Sequence, residues 1–166
     1  MKAFVAFFLL ISLGLSWCCS PDPGAINIAL TGEASQSSTL PYTNFANKSI
    51  DGSKDLNWMH GSCSHTEGEV NPWWRIDLKN KYKVNVVVVS GRTDCCLSRL
   101  LGAELRIGDC LNNYNPVCGI IKDVSGPTTT FCCNGMEGQY VSVVIPARFE
   151  LLTLCEVMVY GDLVTE

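Results

Sequence analysis

The sequence predicts an all-β domain, a sandwich or barrel whose long loops carry the functional residues. Its apolar and β-branched residues fall into short runs separated by glycine, proline, asparagine and serine. The intervals between these breakers are too short for helices of any length, and the sequence shows no heptad pattern, no sustained 3.6-residue period and no internal repeat. These three observations favour strands and turns over helices.

The individual strands follow from these runs. Val84 and the four consecutive valines from Val86 form a nearly continuous β-branched stretch, which predicts a strand covered on both faces. A polar, irregular segment, residues 35–53, predicts a long loop ahead of it. Strands are expected over residues 27–31, 73–78, 83–90, 103–107, 128–133, 139–145 and 156–160.

The first residues predict a secretory signal peptide, residues 1–20. A short basic start precedes an apolar run, residues 3–15, that is too short to span a bilayer comfortably. Small polar residues and two prolines follow, so cleavage is expected between residues 16 and 25. Because no second hydrophobic span follows, we expect a soluble, secreted protein without membrane insertion, with one domain over residues 25–162.

Charge and composition exclude several classes of function. The net charge is −4 and the basic residues are dispersed, whereas a nucleic-acid-binding protein is expected to show a basic stripe. No serine or cysteine lies in a recognisable nucleophile motif, and no pair of carboxylates suited to glycoside hydrolysis stands out. The chain is therefore expected neither to bind nucleic acid nor to be an enzyme.

Eight cysteines follow the leader, and an even number in an oxidising compartment predicts disulfide bonds. The paired C-x-x-C arms that would indicate zinc are absent. Adjacent Cys95 and Cys96 leave two pairings open: a strained bond between neighbours, whose Cα atoms are about 3.8 Å apart, or separate partners, which ordinary disulfide geometry favours. The other pairs expected are Cys63–Cys155, Cys118–Cys133 and Cys110–Cys132.

Candidate binding residues gather between His60 and Arg99. Arg92 and Arg99 lie on either side of a turn, so that their guanidinium groups can converge, and each offers several donors suited to paired oxygens. His65 adds a nitrogen that can donate or accept, and Asp94 can orient the arginines. A small anion and a neutral sugar both fit this chemistry, and a third interpretation treats the charges as surface ion pairs. We expect His60 to be structural.

The spacing of these residues resembles the fucose-binding signature of the F-type lectins, the fucolectins. His65 is followed after twenty-six residues by Arg92, and Asp94 is followed after four residues by Arg99. The resemblance covers nearly the whole mature chain and implies a discoidin-like (galactose-binding-domain-like) jelly-roll β-sandwich that holds the sugar in loops at one end. Supporting similarities are residues 60–63, residues 71–78 and the Cys95–Cys96 pair.

The same resemblance implies a role for each residue of the signature. His65 and the two arginines would hydrogen-bond the ring oxygen and hydroxyls of terminal α-L-fucose, and Asp94 would support the arginines. A disulfide between Cys95 and Cys96 would pack against the sugar ring. An apolar wall would take the 6-methyl group of fucose. The wall candidates are Trp58, Met59, which departs from the aromatic residue expected there, and Leu40.

The family also carries a structural calcium ion, bound largely through backbone carbonyls. Carboxylate and carbonyl oxygens suit a hard cation, which would stabilise the loop that carries His65 instead of touching the sugar. Beside this loop, Asn47 begins a sequon for N-glycosylation. The positions that correspond to the calcium ligands are Lys48, Asp51, Ser53, Ser62, Cys155 and Glu156.

By resemblance, the protein is expected to recognise fucosylated glycans in innate immunity, as a homotrimer whose clustered sites raise avidity. The alternative is a discoidin-like adhesion module that binds anionic lipid headgroups or a protein, with Arg92 and Arg99 contacting phosphate. Binding to an anion should weaken steeply with salt, whereas binding to a sugar should not.

Overall fold

A computed structural model describes residues 19–41 and 44–165, so most of the expected signal peptide lies outside the described residues. Over these residues the chain forms short 3₁₀ helices and ten strands, and no helix of the described chain is long and apolar enough to cross a membrane. The 3₁₀ helices are Ile28–Thr31, Ala46–Ile50, Trp58–His60 and Leu97–Leu100. The strands are β1 (Glu33–Gln36), β2 (Ser64–His65), β3 (Glu69–Val70), β4 (Trp73–Ser90), β5 (Glu104–Gly108), β6 (Val117–Ile120), β7 (Thr128–Val144), β8 (Phe149–Glu150), β9 (Thr153–Leu154) and β10 (Glu156–Leu163).

The two longest strands, β4 and β7, organise the main sheet. Its antiparallel order is β1–β4–β7–β5–β6, with β10 paired to β4 as well. The pairing of β4 with β7 shifts register between Asp77 and Tyr82, where Lys79 has a φ of 68°. Before this break β4 lies beside β1, and after it β4 lies beside β10. Because both parts bury side chains in one core, the sheet folds over itself into a sandwich.

The core follows the alternation of side chains along the strands. In the first part of β4, Trp74, Ile76 and Leu78 are buried, whereas Trp73 and Arg75 are partly exposed. All four consecutive valines in the second part are buried, as expected for a strand covered on both faces. The prediction of an all-β sandwich is confirmed.

Two pairs of expected strands are each a single strand in the structure. Residues 73–78 and 83–90 both belong to β4, and residues 128–133 and 139–145 join in β7, apart from the last residue. Polar residues and glycines separate these runs in the sequence. Each separating segment contains at least one residue of positive φ, Lys79 in β4 and Asn134 and Gly135 in β7, but β4 and β7 pair with each other again beyond them, so the irregularity is absorbed as a register shift.

The first expected strand, residues 27–31, is wrong, because residues Ile28–Thr31 form a 3₁₀ helix. The side chain of Asn27 caps this helix, since its Oδ1 accepts from the Ala29 N–H (3.1 Å). The same oxygen accepts from the Val159 N–H (3.0 Å), which ties the cap to β10. The segment is therefore stabilised by the Asn27 side chain and not by the backbone pairing that a strand would need.

The expected Cys110–Cys132 disulfide is wrong, because Cys132 is bonded to Cys19, with Cα atoms 5.5 Å apart, and Cys110 is an exposed free thiol. Alternation along β7 gives the reason, since neighbouring residues point to opposite faces. Cys133 is buried and meets Cys118, whereas Cys132 lies on the exposed face, where the N-terminal segment passes. The structure contains the other three expected bonds, Cys63–Cys155, Cys95–Cys96 and Cys118–Cys133.

Candidate functional site

The candidate binding residues meet at one end of the sandwich. His65 ends β2, which pairs with β9 so that His65 lies opposite Thr153. Arg92 follows β4 closely, and Arg99 lies in the last 3₁₀ helix. Arg92, Arg99, Thr153 and Cys96 line one small cleft, together with two leucines of that helix. The fold thus brings together side chains that are far apart in the sequence.

Arg92 is held from two sides. Its Nε donates to Oδ1 of Asp94 (3.0 Å), and its Nη2 donates to Oδ2 of the same carboxylate. Oδ1 also accepts from the backbone N–H of Trp58 (3.1 Å), whose ring centre lies 4.6 Å from the Arg92 guanidinium carbon. The Arg92 hydrogen bond is the main reason why the pKa of Asp94 falls to about 2, so this carboxylate stays ionised at physiological pH.

His65 is buried, and its neighbours set its tautomer. Its Nδ1 lies 2.6 Å from the carbonyl oxygen of Thr66, which can only accept, so Nδ1 carries the proton. Burial lowers the pKa of His65; the bond to Thr66 acts in the opposite direction, and the charges of Arg92 and Arg99 lower the pKa further. The ring is therefore neutral at pH 7, and its Nε2 is a hydrogen-bond acceptor.

Arg99 is positioned mainly through its backbone. Its N–H donates to the Cys96 carbonyl (3.1 Å), and its own carbonyl accepts from Nη2 of Arg148 (2.6 Å). Its Nε lies 3.7 Å from Oε1 of Glu150, too far for a hydrogen bond, and no other described residue accepts from this guanidinium. The donors of Arg99 are thus available to a ligand, as is Nη1 of Arg92. Asp94 supports only the first of these two arginines.

The Cys95–Cys96 disulfide forms the turn between the two arginines. The Cα atoms are 3.8 Å apart, and Cys96 has a positive φ of 62° immediately before the 3₁₀ helix that carries Arg99. Cys95 is exposed and Cys96 partly so. The bonded sulfurs therefore present an apolar surface beside the cleft.

The three predicted wall residues lie at different places around His65. The Trp58 ring stands edge-on to the His65 ring, with 5.8 Å between centroids, and its indole N–H donates to Oδ1 of Asn44 (2.8 Å). Leu40 is joined to His65 through its backbone N–H (2.9 Å). Met59 is 72% exposed beside Trp58. Trp58 is thus a fixed wall, and Met59 an exposed apolar tip.

Two polar residues at the site carry no signal in the sequence. The Thr153 hydroxyl is buried in the cleft lining and has no hydrogen-bond partner among the described residues. The Asn44 side chain donates to the carbonyls of Leu40 and Pro41 (3.2 Å each) and accepts from Trp58, so it holds two wall residues together. Threonine and asparagine are ordinary in such segments, and only the fold reveals their positions.

A series of side-chain turns builds the loop between the second and third 3₁₀ helices. Asp51, Ser53, Asp55 and Asn57 each accept, through a side-chain oxygen, from the backbone N–H two residues further on. The exposed His60 pairs with this loop, since its Nδ1 lies 2.7 Å from Oδ2 of Asp55, which agrees with a structural role. The loop that precedes His65 is therefore shaped largely by its own side chains.

Glu156 gives the strongest indication of a cation site. It is 5% exposed, and neither oxygen of its carboxylate has a hydrogen-bond partner in the described part of the chain. Burial, with a contribution from the charge of Asp51, raises the pKa of Glu156 to about 7; the nearby backbone N–H of Gly52 lowers it, but is not close and aligned enough to form a hydrogen bond. Because a buried carboxylate is unfavourable unless it is paired, this residue fits a site completed by a cation.

The other predicted calcium ligands offer backbone oxygens. The Ser62 hydroxyl donates to the Asp55 carbonyl (2.6 Å), and the Cys155 sulfur is bonded to Cys63. Lys48 has a cationic side chain, so its carbonyl is the atom left to bind a metal. Among the described residues, no group of three or more His, Cys, Asp and Glu side chains could hold a metal. A site built from carboxylate and backbone carbonyl oxygens suits calcium and not zinc.

Comparisons with known proteins agree with this fold. The family model described as "NedA-like, galactose-binding domain" matches residues 48–143. The chain is 43% identical over 145 residues to a fucolectin of Anguilla anguilla, over 82% of this chain and 91% of the relative. It is also 43% identical over 145 residues to a pentraxin fusion protein of Xenopus laevis, over 84% of this chain but only 34% of the relative. The crystal structure of a fucolectin from striped bass (Morone saxatilis) serum matches with a TM-score of 0.81 and 46% identity, over 86% of this chain and 50% of that one.

The fold and these matches define a β-sandwich of the discoidin-like, galactose-binding class. The chain belongs to the fucolectin family, as the sequence resemblance indicated. The fucolectins are named as lectins and not as enzymes, in agreement with the prediction that this chain is not an enzyme.

Proposed function

We propose that this protein is a lectin that binds terminal α-L-fucose in the cleft between His65, Arg92 and Arg99. One observation carries the proposal: Arg92 and Arg99 line a cleft with free donors, and the buried, neutral His65 lies opposite Thr153 of that lining, near enough for both charges to lower its pKa. Membership in the fucolectin family supports it.

The hydrogen-bonding groups of the cleft favour a hydroxylated, uncharged ligand. The arginine donors suit the lone pairs of a sugar ring oxygen and its hydroxyls. Nε2 of His65 only accepts, so the ligand must offer it an O–H donor. A sugar hydroxyl can accept from arginine and donate to histidine at once. A fully ionised phosphate offers only acceptors and would leave Nε2 unpaired, which argues against the adhesion module.

The apolar parts of the site would select the remaining faces of the sugar. The exposed Cys95–Cys96 disulfide offers the surface on which the ring packs. Trp58, with Leu40 and Met59 nearby, would contact the 6-methyl group. A hydroxyl added at that position would lie unpaired against this wall, so we expect the site to prefer L-fucose to L-galactose.

A binding assay on two kinds of target distinguishes a lectin from an adhesion module. One is a surface that carries an immobilised fucosylated glycan, and the other is a vesicle that contains anionic lipid. We expect binding to the glycan that changes little between low and high salt, and no retention on the vesicle. Binding to the vesicle alone, lost at high salt, would contradict the proposal.

Fucose binding is expected to fall at acidic pH. Protonated His65 would donate from Nε2 and would add positive charge beside Arg92 and Arg99, so binding needs the neutral ring. Because the pKa of His65 lies below its usual value of about 6.5, the affinity should decline only at a lower pH than an ordinary histidine would give. Calorimetric titration with L-fucose at saturating calcium measures this profile.

The exposed His60 provides the control for this profile. His60→Ala should leave the pH dependence unchanged, because His60 contacts Asp55 and not the cleft. Asp94 should not contribute, since its pKa of about 2 lies below the whole range. An affinity that already declines above pH 7 would contradict a buried, neutral His65.

We propose that calcium binds between Glu156 and the loop that precedes His65. When bound, the ion would compensate the buried carboxylate and hold this loop, with Trp58, against β10, without touching the sugar. The residues that would hold it are Asp51 and Glu156 through their carboxylates, and Lys48, Ser53, Ser62 and Cys155 through their carbonyls.

Chelation of calcium is expected to lower the melting temperature. A ligand present at a hundred times its Kd stabilises the folded state by about 2.7 kcal/mol, and that gain would be lost in chelator and regained with added calcium. Glu156→Gln should abolish the response to calcium, whereas Glu137→Gln, an exposed glutamate on β7, should preserve it. Identical calorimetric melting of the native protein in chelator and in calcium would contradict the site.

We also propose that the protein is secreted and acts as an oligomer, a trimer by family resemblance, in innate recognition of microbes. A related fucolectin comes from serum, which supports secretion. Linked sites raise avidity without new contacts, which supports an oligomer. The Cys19–Cys132 bond requires Cys19 in the mature chain, so it supports cleavage before Cys19, within the predicted interval but ahead of the expected end of the signal peptide at residue 20. Asn47 is exposed, so a glycan there would be accessible. Mass spectrometry of the secreted chain and sedimentation analysis test these features.

A further inference from the structure

A second groove lies beyond the segment of residues 146–148, which separates it from the fucose cleft. Pro146 lines this groove, whereas Arg148 donates to the backbone carbonyls of Arg99 (2.6 Å) and Leu101 (2.7 Å). The groove has a volume of about 500 Å³, which suits a small ligand. None of its lining residues belongs to the proposed fucose site.

Aromatic and aliphatic side chains form the apolar walls of this groove. Trp73 is partly buried and lines the groove, and the Arg75 guanidinium lies 4.8 Å from its ring centre. Tyr114 is 86% exposed in the loop between β5 and β6. Val144 and Pro146 complete the walls. Exposed aromatic faces of this kind suit the C–H face of a sugar ring.

The loop that carries Tyr114 is fixed at its base. The side chain of Asn115 is buried; its Nδ2 donates to the Cys110 carbonyl (2.8 Å), and its Oδ1 accepts from the Cys110 N–H (3.0 Å). Gly108 leaves room for it, since a Cβ there would lie 2.4 Å from Oδ1 of Asn115. Nη1 of Arg106 donates to the Asn115 carbonyl (2.9 Å). Tyr114 is therefore exposed on an ordered loop, which lowers the entropic cost of binding.

The polar lining consists of amides, which offer both donors and acceptors. Oδ1 of Asn113 is buried and has no hydrogen-bond partner among the described residues, and a buried acceptor of this kind calls for a donor. Oδ1 of Asn71 accepts from the Ala147 N–H (2.6 Å), and Oδ1 of Asn112 accepts from the Tyr114 N–H (3.2 Å). Their Nδ2 groups are left to donate to a ligand.

The charge at the groove favours a neutral ligand. Arg106 is the one charged residue of its described lining, and this charge is compensated. Its Nε donates to Oε2 of Glu104 (2.8 Å), its Nη2 donates to the same oxygen, and its Nη1 is taken by Asn115. No carboxylate lines the groove, so neither an anion nor a cation would find an uncompensated partner.

We propose that this groove is a second saccharide site, which takes a neutral pyranose residue and does not require fucose. The sugar ring packs on Trp73 and Tyr114, and one hydroxyl donates to Oδ1 of Asn113. The amide N–H groups of Asn71 and Asn112 donate to other hydroxyls. One chain would thus hold two sites of different specificity, and the groove does not depend on the arginines of the first.

Nitrogen-15 correlation spectra of the mature protein test this site, with methyl glycosides of D-galactose, D-glucose, D-mannose and N-acetyl-D-glucosamine as probes. We expect at least one glycoside to shift the indole signal of Trp73 and the side-chain amide signal of Asn113. The shifts should persist in the Arg92→Ala, Arg99→Ala double variant and disappear in Tyr114→Ala.

Leu111→Ala is the matched control, because Leu111 is exposed in the same loop and does not line the groove. It should keep the shifts. Absence of shifts with every glycoside, their loss in Leu111→Ala as in Tyr114→Ala, or their loss in the double arginine variant would overturn the proposal. Shifts of the Trp73 signal that arise on raising the protein concentration without sugar would identify a contact between copies, and would also overturn it.

Discussion

Replacing either Arg92 or Arg99 with alanine should weaken L-fucose binding by about 100-fold or more while the fold stays intact. Hydrogen bonds to a charged group contribute roughly 1.5–3 kcal/mol each, and the loss of two corresponds to about 100-fold or more in Kd. Arg99→Ala breaks no hydrogen bond of its guanidinium, and Arg92→Ala leaves Asp94 bonded to the Trp58 N–H. Calorimetric titration with L-fucose, beside thermal melting, measures both effects.

Arg106→Ala is the matched control for these variants. Arg106 is also tied to a carboxylate two residues away, Glu104, but it lies outside the fucose cleft. This variant should bind L-fucose as the native protein does. Native affinity in both Arg92→Ala and Arg99→Ala would contradict the assigned site.

Removal of the Cys63–Cys155 disulfide, by alanine at both positions, should lower the free energy of unfolding by roughly 4–5 kcal/mol. The two cysteines are 92 residues apart and fully buried, so the bond restricts most of the unfolded chain. Adjacent Cys95 and Cys96 close no such loop. Their double alanine variant should therefore melt near the native temperature and lose fucose affinity, because the apolar surface beside the cleft is removed.

Urea unfolding and calorimetric titration of both double variants check this division. The Cys118–Cys133 bond provides a calibration, since its sequence separation of 15 predicts a loss of about 3 kcal/mol when both cysteines are replaced. Equal losses of stability from the Cys63–Cys155 and Cys95–Cys96 variants would contradict the separation of a structural disulfide from a binding one.

The architecture and the arginine-bearing end could be predicted because short-range patterns decide them. The valine run of β4 is buried on both faces, as its composition indicated. Arg92 and Arg99 flank a tight turn, so their approach follows from local geometry. His65 is distant in sequence, and only the fixed spacing of a known signature connects it to the two arginines.

The remaining features depend on contacts between distant segments. Nothing in the sequence distinguishes Cys132 from its neighbour Cys133. Cys132 bonds Cys19 because its side chain lies on the exposed face of β7. Thr153 reaches the cleft because β9 pairs with the strand of His65. The second groove likewise needs Trp73 of β4 beside the loop that carries Tyr114, a proximity that no local pattern encodes.

A glycan array probed with the mature protein tests most directly whether the cleft binds terminal α-L-fucose. Free L-fucose and D-galactose serve as competitors, and the array is read with and without calcium. We predict binding to glycans that end in fucose, displaced by L-fucose and not by D-galactose, and weakened by chelation. Absence of binding to any fucosylated glycan, or equal displacement by both sugars, would contradict the assignment of the cleft to fucose.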